Sequence, residues 1–140
     1  LSYLIDTNVL LELRRKQPDA RVVSWMQARP RPALFLSVLT LGEIRKGIER
    51  SEDSLHKQSL GDWLEVELPH YFVGRLIGVD PHIADRWGRL MARAGRPLPA
   101  IDGLLAATAL QHDLTLVTRN TKDFTGLDVR LINPWDDQGA

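Results

Sequence analysis

The segment Leu1-Ser2-Tyr3-Leu4-Ile5-Asp6-Thr7-Asn8-Val9-Leu10-Leu11-Glu12-Leu13 decides how the rest of the chain is read. Its first five residues are a strand that stops at an acid. The apolar residues after Asn8 then open a helix, predicted over residues 9–16, whose Arg14-Arg15-Lys16 end suits the negative pole of the helix dipole. Strand followed by helix recurs along the chain, and that recurrence sets the fold class.

Pro18-Asp19 stops the first helix and starts another, in which Val22, Trp25 and Met26 fall at i, i+3 and i+4. Residues 33–37 are a short apolar run, predicted as a second strand. Residues 41–50 read as a helix, and residues 54–68 as a longer one with Leu60, Trp63 and Leu64 at helical spacing. Residues 75–79 are the third strand. Asp80-Pro81 is an N-cap with proline at the first helical position, and Ile83, Trp87, Leu90, Met91 and Ala94 mark one face of a helix ended by Gly95. A helix of small residues follows over 100–110, then strands over 114–118 and 129–132. This order predicts an α/β fold, a mostly parallel central sheet with helices on both faces, in one domain spanning residues 1–140.

With 44% hydrophobic residues the chain can bury a continuous core. It has no cysteine, which excludes disulfide frameworks, zinc ribbons and thiol catalysis. No apolar run reaches the length of a membrane span, and the opening residues read as a strand rather than a secretion signal. A soluble, cytoplasmic protein without membrane contact is therefore expected. The 18 basic and 18 acidic residues cancel, which at first argues against a nucleic-acid partner. A cation bound by part of the acidic set would leave the remaining surface modestly positive.

Four acids stand at strand ends or in the first turns of helices: Asp6, Glu43 in Thr40-Leu41-Gly42-Glu43, Asp102 in Ile101-Asp102-Gly103, and Asp123 in Thr118-Arg119-Asn120-Thr121-Lys122-Asp123. Strand ends and helix starts converge on the ligand crevice of open α/β sheets. Four carboxylates gathered there would repel one another unless a divalent cation or a basic partner supplied opposite charge. Each acid also has a purely structural reading. Asp6 can cap the following helix, although Thr7 and Asn8 can do so too, or can hold its carboxylate by hydrogen bonds. Thr40-x-x-Glu43 reads as a capping box; Gly47, one turn on, would instead leave a bare patch beside Glu43 for a substrate. Asp102 suits any helix start, with Ala106 and Ala109 keeping its side of the helix bare, and Asp123 lies in a polar loop.

Other chemistries lack their motifs. His56, His70, His82 and His112 have no metal-ligand spacing, and the chain contains no Walker A sequence, no G-x-G-x-x-G and no G-x-S-x-G. The four Trp residues read as packing. Arg86, Arg89 and Arg93 form a basic stripe opposite the apolar face of their helix, which is either an RNA contact or a solvated face. Arg45, Lys46, Arg119 and Lys122 neighbour the acids in sequence and are the preferred phosphate contacts.

Taken in series, Leu4-Ile5-Asp6-Thr7-Asn8-Val9-Leu10, Ser37-x-x-Thr40-x-x-Glu43-x-x-x-Gly47, Asp102-x-x-Leu105-Ala106-Ala107-Thr108-Ala109, Thr118-Arg119-Asn120-x-x-Asp123-Phe124 and Asn133-Pro134-Trp135 resemble the PIN-domain ribonucleases. Within that family the chain resembles VapC-type toxins of toxin–antitoxin pairs and, most specifically, their FitB-like branch. Leu105 stands where an isoleucine is common. The resemblance implies a PIN domain in which Asp6, Glu43, Asp102 and Asp123 form the acidic site, supported by Asn8, Thr118 and Asn120. It also implies a homodimer and a small VapB- or FitA-type antitoxin whose basic side chain reaches the pocket. Mg²⁺ or Mn²⁺ with Asp6 and Asp102 as direct ligands, and Glu43 and Asp123 acting through water, would suit hydrolysis of RNA, transfer RNA included, to 5′-phosphate products. The rival reading is a catalytically silent binding module whose pocket only receives the antitoxin's basic side chain. A phosphatase or receiver domain fits less well, since the third position of Asp6-x-Asn8 lacks its Asp or Thr and Thr118 stands where a receiver has lysine.

Overall fold

The computed structural model describes residues 1–136; the last four residues of the expected domain lie outside the described residues. Five short strands, β1 (Tyr3–Ile5), β2 (Leu34–Ser37), β3 (Leu76–Ile77), β4 (Thr115–Val117) and β5 (Leu131–Ile132), form one sheet in the order β3-β2-β1-β4-β5. Every pairing is parallel, with Leu4 opposite Phe35 on one side and Leu116 on the other. The helices are α1 (Thr7–Leu13), α2 (Ala20–Gln27), α3 (Val38–Arg50), α4 (Ser54–Asp62), α5 (Leu68–Tyr71), α6 (Pro81–Arg93) and α7 (Ala100–Gln111). No described helix is long and apolar enough to cross a membrane.

Alternation along the strands sorts the core into two layers. Tyr3, Ile5, Leu34, Leu36 and Val117 pack with Val9, Trp25, Ile44 and Trp63 from the helices of the first two thirds of the chain. Leu4 and Leu116 face the other way, onto Leu105, Ala106 and Ala109 of α7, with Leu90 and Met91 of α6 behind. The predicted helices on both faces are thus present, and the bare side of α7 carried by Ala106 and Ala109 lies in this second core.

Local chemistry moves several boundaries. Asp6, not Thr7 or Asn8, caps α1, its carboxylate accepting from the Thr7 amide. The helix ends at Leu13, so Arg14-Arg15-Lys16 lies beyond it; Arg14 instead stacks over Trp63 and bonds Ser59. Helix α3 starts earlier than expected because Ser37 caps it through the Leu39 amide. Thr40 is therefore inside the helix, its buried hydroxyl without a hydrogen-bond partner among the described residues, and the capping box with Glu43 does not form. The expected helix over 54–68 runs on to Tyr71 through a π-helical turn, Trp63–Glu67. Pro69 has no amide to give Glu65 and its ring would meet that carbonyl, which accounts for the wider turn there.

Helices α6 and α7 pack closely at Gly103. A methyl group there would stand 2.7 Å from Met91 Sδ and 3.0 Å from Trp87 Nε1, so this glycine lets α6 lie close against the first turn of α7. Gly103→Ala should destabilise the protein by about 1–3 kcal/mol, read as a lower denaturation midpoint with unchanged slope. An unchanged midpoint would show that α6 is not held at this distance.

Candidate metal centre

The strand order reverses at β1, with β2 and β3 on one side and β4 and β5 on the other. At the carboxyl ends of β1 and β4 the following segments diverge, which opens the crevice where α/β sheets hold ligands. Asp6 ends β1, and Thr118 immediately follows β4.

Asp6 is only 7% exposed, and its carboxylate has a full set of donors. The Thr7 amide donates to Oδ1 at 2.8 Å, the Thr118 hydroxyl to Oδ2 at 2.8 Å, and the Asn8 side-chain amide to Oδ2 at 3.4 Å. Thr118 Oγ1 in turn accepts from Asn8 Nδ2 and the Asn120 amide, while Asn8 Oδ1 accepts from the Arg119 amide. Asn8, Thr118 and Asn120 thus lock Asp6 to the β4 loop.

Glu43 comes from the second turn of α3 and meets α1 through the Thr7 hydroxyl, which donates to its Oε1 at 3.0 Å. In sequence Thr7 offers only a cap or a support for Asp6; its partner lies 36 residues away, a tertiary contact that no local spacing announces. Asp102 sits in the first turn of α7, and Asp123 in the 3₁₀ turn Thr121–Phe124. Arg96, in the loop between α6 and α7, also escaped the sequence reading. Its guanidinium donates to the carbonyls of Asp123 and Thr125, pinning the loop that carries the fourth acid.

Electrostatics tie the four acids together. Burial, followed by the charge of Asp123, pushes the Asp6 carboxyl above its usual range against its hydrogen bonds. Glu43 is raised by burial and then by Asp6, with Thr7 and Lys46 opposing. Asp102 is raised by burial and by the charges of Asp123, Asp6 and Glu43, with Arg96 opposing. Among the described residues none of the four forms a salt bridge, so their mutual repulsion is not neutralised from within.

This is an all-oxygen donor set suited to a hard cation. Among the described residues no group of three His, Asp or Glu side chains is arranged to hold an ion by itself.

The basic candidates divide. Arg45 is paired with Glu65 at 2.6 Å, and Arg119 stacks 4.9 Å over the Trp135 ring. Lys46 and Lys122 are exposed and make no salt bridge among the described residues. A Cβ at Gly47 would meet nothing within 4 Å. Asn133 accepts from the Trp135 amide and donates to the Arg119 carbonyl, which ties the end of the described chain to the site loop.

The family model for the PIN domain matches residues 3–129. Toxin FitB of Neisseria gonorrhoeae is 37% identical over 137 residues, covering 96% of this chain and 99% of that protein. VapC ribonuclease Y4jK of Sinorhizobium fredii is 32% identical, covering 95% and 97%. Among solved structures, FitAcB from Neisseria gonorrhoeae superposes with a TM-score of 0.88 at 36% identity, covering 95% of this chain and 98% of that one. FitAB bound to the IR36 DNA fragment gives a TM-score of 0.89 at 34% identity, covering 98% of each chain.

The repulsion yields a signed prediction. Asp102 takes up its proton at higher pH in the folded chain than in the unfolded one, so stability rises as pH falls through that raised value. In metal-free buffer at neutral pH, Asp102→Asn should therefore melt a few degrees above the wild type. The advantage should shrink as pH falls through the raised value and be gone below the ordinary 3.8. A variant that melts lower at neutral pH would contradict the repulsion.

Proposed function

Because the chain belongs to the PIN-domain family, we propose that it is the ribonuclease toxin of a toxin–antitoxin pair, a metal-dependent hydrolase that cuts RNA phosphodiester bonds at the four-acid site. The observation that carries this reading is the buried Asp6 carboxylate, fixed by Thr118 and Asn8 at the switch point of the sheet and electrostatically coupled to Glu43, Asp102 and Asp123. A binding pocket for one basic side chain has no need of so costly a carboxylate cluster.

In this reading Asp6 and Asp102 are the direct ligands of Mg²⁺ or Mn²⁺, and Glu43 and Asp123 act through water. When bound, the cation supplies the charge that makes water a nucleophile near neutral pH and stabilises the leaving oxygen. The chain's own residues set the geometry. Thr118 and Asn8 hold Asp6 in one rotamer, and Thr7 orients Glu43. Burial keeps the Glu43 carboxyl above its usual range, which suits it to accept a proton from the attacking water. Lys46 and Lys122 are the basic candidates best placed to meet phosphate, with Arg45 and Arg119 held by their present partners.

The solved FitAB and FitAcB complexes support a small antitoxin as the partner here, with a basic side chain directed at the acids. A single-domain homodimer acting in the cytoplasm, where RNA is available, completes the proposal.

The test is cleavage of total and transfer RNA by purified, antitoxin-free protein with Mg²⁺, Mn²⁺ or EDTA. Losing a ligand removes charge stabilisation worth several kcal/mol, so Asp6→Asn should cut at least about 100-fold more slowly. Undiminished cutting by that variant, or cutting in EDTA, would overturn the assignment.

A further inference from the structure

A cleft of about 400 Å³ runs beside α6, between its flank, the end of α7 and residues 126–128. Its walls carry His82, Asp85, Arg86, Arg89 and Arg93 from α6 and Asp128 from the facing loop. His82, Arg86, Arg89 and Arg93 follow one another at i, i+4, i+7 and i+11, which places them on one helical stripe. This corrects the sequence reading: the stripe is not opposite the apolar face but flanks it, and Leu90 and Ala94 share the cleft with the arginines.

The arginines are held in place without being used up. Arg86 is anchored through Nε to Gln111 Oε1 at 3.1 Å, and Arg89 through Nε to Asp85 at 3.1 Å. Neither spends its terminal Nη groups on another described residue, and Arg93 makes no salt bridge among the described residues. Guanidinium forks anchored at one nitrogen and open at the others suit phosphate oxygens.

The cleft is linked to the metal centre along the chain. At one end α6 stops at Arg93, three residues before Arg96, whose guanidinium grips the carbonyls of Asp123 and Thr125. The facing wall starts at Gly126, immediately after that gripped loop. Arg86 and Arg93 lie about 10 Å apart along the helix, far enough for each to meet a different phosphate of one strand.

We propose that this arginine-lined cleft is a second RNA-binding site, which holds the phosphate backbone of a strand extending away from the four-acid centre. The proposal rests on the ribonuclease reading. It makes the substrate an RNA longer than the nucleotides at the cut.

Binding of a fluorescent 20-nucleotide single-stranded RNA, measured by anisotropy in EDTA over a range of salt, tests it without cleavage. Two lost phosphate contacts should make the slope of log affinity against log salt shallower by about 1.4 in the double variant Arg86→Ala/Arg93→Ala. Affinity at low salt should fall at least tenfold, and Arg86→Lys/Arg93→Lys should keep the wild-type slope. Melting curves verify that both variants are folded. An alanine variant with wild-type slope and affinity would overturn the proposal. So would unchanged RNA binding combined with lost binding of a fluorescent polyglutamate probe, which would give the cleft to an acidic protein partner. Because binding is read in EDTA and cleavage in Mg²⁺, the cleft can fail while the nuclease stands, and a protein that binds RNA but never cuts it would fail the other way.

Discussion

Burying the Asp6 carboxylate is the constraint around which the functional half of this molecule is arranged. A carboxylate withdrawn from water is costly unless donors surround it. The donors found here come from the start of α1 and the end of β4, two segments the sheet brings side by side. Satisfying Asp6 fixes the α1 cap, and it fastens the β4 loop to the β1 turn through Thr118, Asn8 and the amides of Arg119 and Asn120. Thr7, the first residue of α1, then reaches across to Glu43 on α3. One desolvated group thereby locates two of the remaining acids' supporting segments, and the close packing of α6 on Gly103 locates the helix that carries Asp102.

Much of this was legible along the chain. Strand and helix order, the apolar faces of α2 and α6 and the Asp80 cap all follow from local periodicity and turn chemistry. The misread helix starts share one physical cause: competition between neighbouring polar groups for the same helix-capping role. Asp6, Thr7 and Asn8 can each cap α1, and Ser37 and Thr40 can each start α3. Which one wins is set by what the losers reach in three dimensions. Thr7 is freed from capping because Glu43 needs its hydroxyl, and Glu43 is free for the site because Ser37 takes the cap. The role of Arg96 was equally invisible, since its acceptors are backbone carbonyls 27 and 29 residues away. The basic stripe of α6 was visible, but the loop that turns it into a cleft was not.

The membership in the PIN-domain family and the site's electrostatics support each other from independent directions. Family resemblance rests on sequence motifs and the superposed backbone. The raised carboxyls of Asp6, Glu43 and Asp102 rest on burial and mutual charge alone. Both support the proposal of a cation at the four-acid centre.

The most direct test of that claim is the binding of Mn²⁺ to purified, antitoxin-free protein, followed by the electron paramagnetic resonance signal of the free ion. Saturable binding that is weakened at least about tenfold, or 1.4 kcal/mol, by Asp6→Asn and again by Asp102→Asn is the predicted result. Folded wild-type protein that takes up no Mn²⁺, or variants that bind it as the wild type does, would contradict the account.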